Sequence, residues 1–169
     1  MKKSVLCLLA LSAPLFAYSQ NSPVTVAESN AVINKVDAAM RNTLGMKPGK
    51  PLPTKESRLV TRAEVVKSLD VLFESYRPYF QFTPRPHRAE GQVIEKFNSD
   101  KQTRDLLHKF IKFGCCSAVS PLVVGPGANI SVADFGDAIG YFAAQIAAVT
   151  YFADPLYVPN LQKSDVIGG

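Results

Sequence analysis

The sequence predicts an all-α fold, two helix-loop-helix repeats packed into a small helical bundle and joined by a proline-rich connector. Three features carry this expectation. Four segments place apolar residues at the 3.6-residue period. Each segment opens on a residue able to cap a helix N-terminus. The order of helix, glycine, loop, cap and helix occurs once and then recurs.

The first nineteen residues, "MKKSVLCLLALSAPLFAYS", stand apart from the fold. Lys2 and Lys3 give a basic start, Leu6 to Phe16 an apolar stretch, and Ala17 and Ser19 the small residues before a cut near Gln20. Ser12 and Pro14 interrupt the run, which falls short of the roughly 18–20 apolar residues that span a bilayer. A cleaved signal peptide over residues 1–19 is expected, and with it export to the cell envelope, the periplasm or the cell surface. What remains is one domain, or two small repeats sharing a core, at about 150 residues.

The first helix is expected from about Val26 to Asn42, with Thr25 and Glu28 as a capping pair and Gly45 as its stop. The second is expected from Arg62 to Tyr76: Thr61 caps, Glu64 stands at the third helical position, and Val65, Leu69, Leu72 and Phe73 form the inward stripe. The third, about Asp100 to Phe113, has Ser99 and Gln102 placed to cap and Gly114 to close. The fourth starts at Ser131, whose partner is Asp134, and fades before Asp154-Pro155.

Two stretches align along their length: "GMKPGKPLPTKESRLVTRAEVVKSLDVLF" and "GCCSAVSPLVVGPGANISVADFGDAIGYF". They share the opening glycine, a Pro-Leu pair, a Val-Thr or Ile-Ser cap, the alanine two residues later and the acid after it. A helix pair of this size cannot bury its apolar faces alone, so the units should pack on each other. The expected organisation is a first repeat over 20–76, a connector over 77–96, a second repeat over 97–153 and a flexible tail over 154–169. The connector carries the aromatic residues Tyr79, Phe80 and Phe82, expected to tuck against the core.

Composition narrows the function. Losing Lys2 and Lys3 lowers the formal charge from +5 to +3, modest for the length. Arg77, Arg85, His87 and Arg88 cluster around prolines rather than tracking one helix, which argues against a nucleic-acid surface. Cys115 and Cys116 are candidates for a strained vicinal disulfide, for a bond between chains, or for two buried thiols. They lack the spacing of a zinc set, and no metal or other cofactor is expected. His87 and His108 share no motif, and the acids show no paired spacing, so an enzyme is not expected.

"VTRAEVV", Val60 to Val66, followed by the weaker "ISVADFGDAI", resembles the S-layer homology family, whose repeats run helix, glycine, loop, an Ile-Thr-Arg-Ala-Glu-like cap and a second helix. The likeness spans most of the chain after residue 19. It departs in lacking any Trp, in lacking the usual Tyr-Pro-Asp-Gly run, and in showing two units where three commonly build a pseudo-threefold bundle. The resemblance implies non-covalent attachment to the cell envelope through an acidic cell-wall polysaccharide, with Arg62 as the ligand-binding residue. A guanidinium fork suits a carboxylate on a sugar. Val132 stands where the second unit would place its arginine, so a site of this kind is expected once. The alternative is a small secreted helical protein that contacts other proteins, as a homodimer or with another envelope protein, without binding glycan. For Arg62 itself, solvation or pairing with Glu56 or another acid is the competing expectation.

Overall fold

In the computed structural model the described residues are 20–81, 91–97 and 100–150. The expected signal peptide and tail, Phe82 and His87 lie outside them. The chain is all-α: helices α1 (Val26–Thr43), α2 (Arg62–Tyr76), α3 (Gly91–Phe97), α4 (Lys101–Lys112) and α5 (Val132–Val149), with a 3-10 turn over Arg77–Tyr79. Among the described residues the only β pairing is a set of isolated bridges.

Helix boundaries follow from their caps. Thr25 accepts the Glu28 amide while the Glu28 carboxylate accepts the Thr25 amide at 2.9 Å. Thr61 and Glu64 repeat that reciprocal pair at the start of α2, with the returning bond at 3.0 Å. Ser131 Oγ accepts the Asp134 amide at 3.2 Å. Each pair satisfies backbone donors that the first helical turn leaves without partners. At the other end, α1 and α4 stop on Gly45 and Gly114, with φ of 64° and 72°. In both, the amide after the glycine reaches back five residues, Met46 to the Arg41 carbonyl and Cys115 to the Phe110 carbonyl. This is the Schellman closure, and its left-handed residue is open to glycine without a Cβ penalty.

Two expectations change here. The cap of α4 is Asp100, whose carboxylate accepts the amides of Gln102 and Thr103, rather than Ser99, which lies outside the described residues. The connector holds a helix, α3, with Ile94 fully buried. Seven residues give barely two turns, too few for a helical period to show in the sequence.

The three signature caps also form a set that two repeats do not anticipate. "VTVAE" before α1, "VTRAE" before α2 and "ISVAD" before α5 share one pattern: a buried apolar residue, a hydroxyl cap, a first helical residue, alanine and an acid. The extended residues ahead of these helices pair in a closed ring, Thr25 opposite Leu59, Thr61 opposite Asn129 and Pro23 opposite Ser131. The first helical amide of each unit donates to the next segment, Val26 to Arg58, Arg62 to Ala128 and Val132 to Ser22, all at 2.9 Å. Helix α1 thus ends like a first helix of a repeat and begins like a second, which hid the third signature from a two-unit overlay.

Around this ring the core fills in. Val24, Val60 and Ile130 are buried at its centre. On α2, Phe73 meets Phe80, Phe110 and Phe113 with ring centroids 5.2–5.5 Å apart, and Phe110 continues to Phe142 of α5 at 5.2 Å. Phe80 of the connector therefore tucks inward as expected, while Tyr79 is exposed. Lys109 of α4 bonds both Asp70 and Glu74 of α2 and lies 5.0 Å from the Phe73 ring, tying the two helices at their rim.

The residue before each cap should pack on the fourth helical residue as a hydrophobic staple. Val60 has Val65 and Ile130 has Phe135 at that position, but Val24 has Ser29. Ser29 is fully buried and its hydroxyl has no hydrogen-bond partner among the described residues. Ser29→Ala removes that buried polar group and improves helix propensity, so it should stabilise the fold by about 1–2 kcal/mol. A higher urea midpoint at an unchanged m-value is the expected reading.

Candidate functional site

Arg62 is the first helical residue of α2, and the ring aims that position at the loop before the next signature. The corresponding residues of the other units are Val26 and Val132, both buried. Arg62 is buried as well, at 7% exposure. Its Nε donates to the Pro121 carbonyl at 2.8 Å, and Nη1 donates to Gly127 at 2.5 Å and Pro126 at 3.3 Å. Nη2 lies 4.0 Å from Asp134 Oδ2. A solvent-facing guanidinium, free for a ligand or a surface acid, is thus replaced by one that staples the 121–127 loop onto α2. Glu56, the acid considered for it, pairs with Arg58 at 2.7 Å instead.

The loop is shaped to the arginine. A Cβ built on Gly125 would fall 2.3 Å from Nη2 and 2.7 Å from the central guanidinium carbon, so any larger residue would drive the two apart. Leu122 and Val123 anchor the loop in the core beside it. The desolvation of a cation is offset here by three carbonyl acceptors and the nearby Asp134 carboxylate. Asp134 is part of the fourth cap and at the same time the acid closest to Arg62, which joins the second signature to the third.

On the outer side of the same helix start, Arg58 donates to both Glu64 oxygens, at 2.5 and 3.0 Å, and to Glu56. The hydrogen bonds from Arg58, helped by the Thr61 cap donors, lower the Glu64 carboxyl from 4.5 to about 2. A depressed acid contributes stability that is full above the unfolded value of about 4.5 and fades as the pH falls toward 2. The Arg58 pair is half exposed, so solvent screens much of that contribution.

Cys115 and Cys116 follow the Schellman turn of α4, and both side chains are buried. Burial pushes the Cys115 thiol well above its ordinary range, away from the reactive thiolate. Their apolar surroundings explain the pairing: two small, soft side chains fill the core under the 114–128 loop.

His108 is exposed on α4, and Asp105, one turn before it, pairs with Lys101 at 2.7 Å. Among the described residues no group of His, Cys, Asp or Glu is arranged to hold a metal ion. No helix among them is long and apolar enough to cross a membrane.

One network had no sequence signal of its own. The 44–58 loop is pinned to α1 by Asn34, which accepts the Leu52 amide at 2.8 Å and donates to its carbonyl at 3.0 Å, and by Asn30, which donates to the Pro53 carbonyl at 2.7 Å. Below it, Asp37 pairs with Arg41 at 2.9 Å and accepts from the buried Tyr76 hydroxyl at 2.8 Å. Burial and that bond push the Tyr76 phenol upward. Two asparagines four apart on an otherwise polar helix face read as solvated, because their partners are backbone atoms about twenty residues away.

No family model matches the chain, and neither a curated protein nor a solved structure matches it.

Removing the Arg62 side chain leaves buried carbonyls without donors. Arg62→Ala should therefore cost about 2–3 kcal/mol, and clearly more than Arg58→Ala, whose ion pairs are exposed and screened by solvent. Urea unfolding of the two variants measures the difference, and amide exchange should quicken across residues 121–128 in the first only.

Proposed function

We propose that the chain is an exported module of S-layer-homology type that attaches to, or assembles on, the cell envelope by binding an acidic cell-wall polysaccharide. The observation that carries this reading is the threefold recurrence of the cap signature, "VTVAE", "VTRAE" and "ISVAD", closed into one ring. It supplies a third unit to a resemblance that two units left short. The arginine of the central signature takes a changed part in this proposal. Its Nε and Nη1 donate to Pro121, Pro126 and Gly127, so it acts as a positioning residue that sets the loop between the second and third signatures.

Asp134, which remains 41% exposed next to Arg62, marks the open side of that junction. An acidic polymer would approach it only with its own charge facing away from this carboxylate, toward cations elsewhere on the surface.

Sedimentation with purified cell-wall fractions tests the proposal. The chain lacking residues 1–19 should pellet with intact wall and stay in solution with wall stripped of its acidic polymer. A protein that stays in the supernatant with both, and scatters light as a dimer, would overturn attachment in favour of a protein-contact role.

A further inference from the structure

We propose that the acidic polymer is held by a lysine-bearing strap on α1, formed by Lys47, Lys50 and Lys55, and not by Arg62; this rests on the envelope-attachment reading above. Residues 45–55, "GMKPGKPLPTK", contain three lysines, three prolines, no acid and no aromatic residue. All three lysines are exposed, and none forms an ion pair among the described residues.

The strap runs antiparallel to α1 and is fastened along its length. The Met46 amide donates to the Arg41 carbonyl and Arg41 Nη1 to the Lys47 carbonyl. Leu52 is clamped by Asn34, Pro53 by Asn30, and the Ala27 amide donates to the Glu56 carbonyl. Contacts therefore descend α1 from Arg41 to Ala27, about 21 Å at 1.5 Å per residue, and the lysines are spread over most of that length. At Gly49 the strap passes directly over the Asp37–Arg41 pair, where a Cβ would fall 2.6 Å from Asp37 Oδ2.

Two consequences follow for binding. The loop is already ordered by prolines and side-chain clamps, so a ligand need not fix its backbone. Asp37 is paired with Arg41, and Glu56 shares Arg58 with Glu64, so the three lysines keep their charges out of ion pairs while the strap itself carries no acid. A line of spaced point cations suits an extended chain of carboxylates. The strap lacks aromatics for stacking on bases, and the large exposed apolar residues Leu59, Val71, Tyr79, Val119 and Tyr141 all lie outside it, so it has no anchor for a bilayer.

The test compares Lys47→Gln/Lys50→Gln/Lys55→Gln with a charge-matched control, Lys67→Gln/Lys101→Gln/Lys112→Gln, on α2 and α4. Polygalacturonate serves as the carboxylated polymer and phosphatidylglycerol vesicles as the lipid arm. The wild-type chain and the control should bind polygalacturonate with an affinity that falls as salt rises, and the strap variant should bind at least about tenfold more weakly with an unchanged thermal melt. Equal binding by the strap variant, binding to vesicles alone, or no binding to either probe would overturn the strap. Wall sedimentation separates the two claims: a strap variant that still pellets with intact wall sinks the strap and leaves attachment standing. A wild-type chain that binds polygalacturonate through the strap yet never pellets with wall sinks attachment and leaves the strap standing.

Discussion

The fold depends on a closed ring of backbone hydrogen bonds among three extended segments, 22–26, 58–62 and 128–132. Each segment uses its amides and carbonyls twice, once toward a neighbour in the ring and once in starting its own helix. That coupling fixes where α1, α2 and α5 begin and how they splay. It also explains the composition of the signature. The apolar residue must be buried at the ring centre, the hydroxyl must cap, and the residue after it must face the neighbouring loop. Local helix signals and tertiary pairing are thus satisfied by the same five residues, the kind of agreement between levels that favours one native state.

Much of this is legible in the sequence. The limits of α2, the stops at Gly45 and Gly114 and the caps at Thr61 and Ser131 all followed from local chemistry that operates within four or five residues. What escaped was non-local. A third signature stood in plain view as "VTVAE", but recognising it requires knowing that Thr25 and Thr61 occupy equivalent places around an axis. The Asn30 and Asn34 clamps and the arginine staple bind backbone carbonyls, which carry no side-chain identity to read. Helix α3 was missed for a simpler reason, its seven residues.

Arg62 shows how a motif residue can take a structural part. As a cation in the first turn it opposes the helix dipole, a cost of a few tenths of a kcal/mol when exposed. Burial against the 121–127 loop changes the balance, because the carbonyls of that loop provide the negative partners that the helix start does not. Val26 and Val132 fill the same positions without charge. The asymmetry among three otherwise similar units is therefore concentrated at one residue and the loop it holds. The binding surface proposed along α1 then has a rigid base, because α1 begins in the ring and the strap is tied to α1.

Native-state amide exchange across the ring tests its central place most directly. The amides of Val24, Val26, Val60, Arg62 and Val132, contributed by segments far apart in sequence, should exchange at one common slow rate matching global unfolding. Fast or unequal exchange at these positions, with the middles of α2 and α5 still protected, would contradict the account.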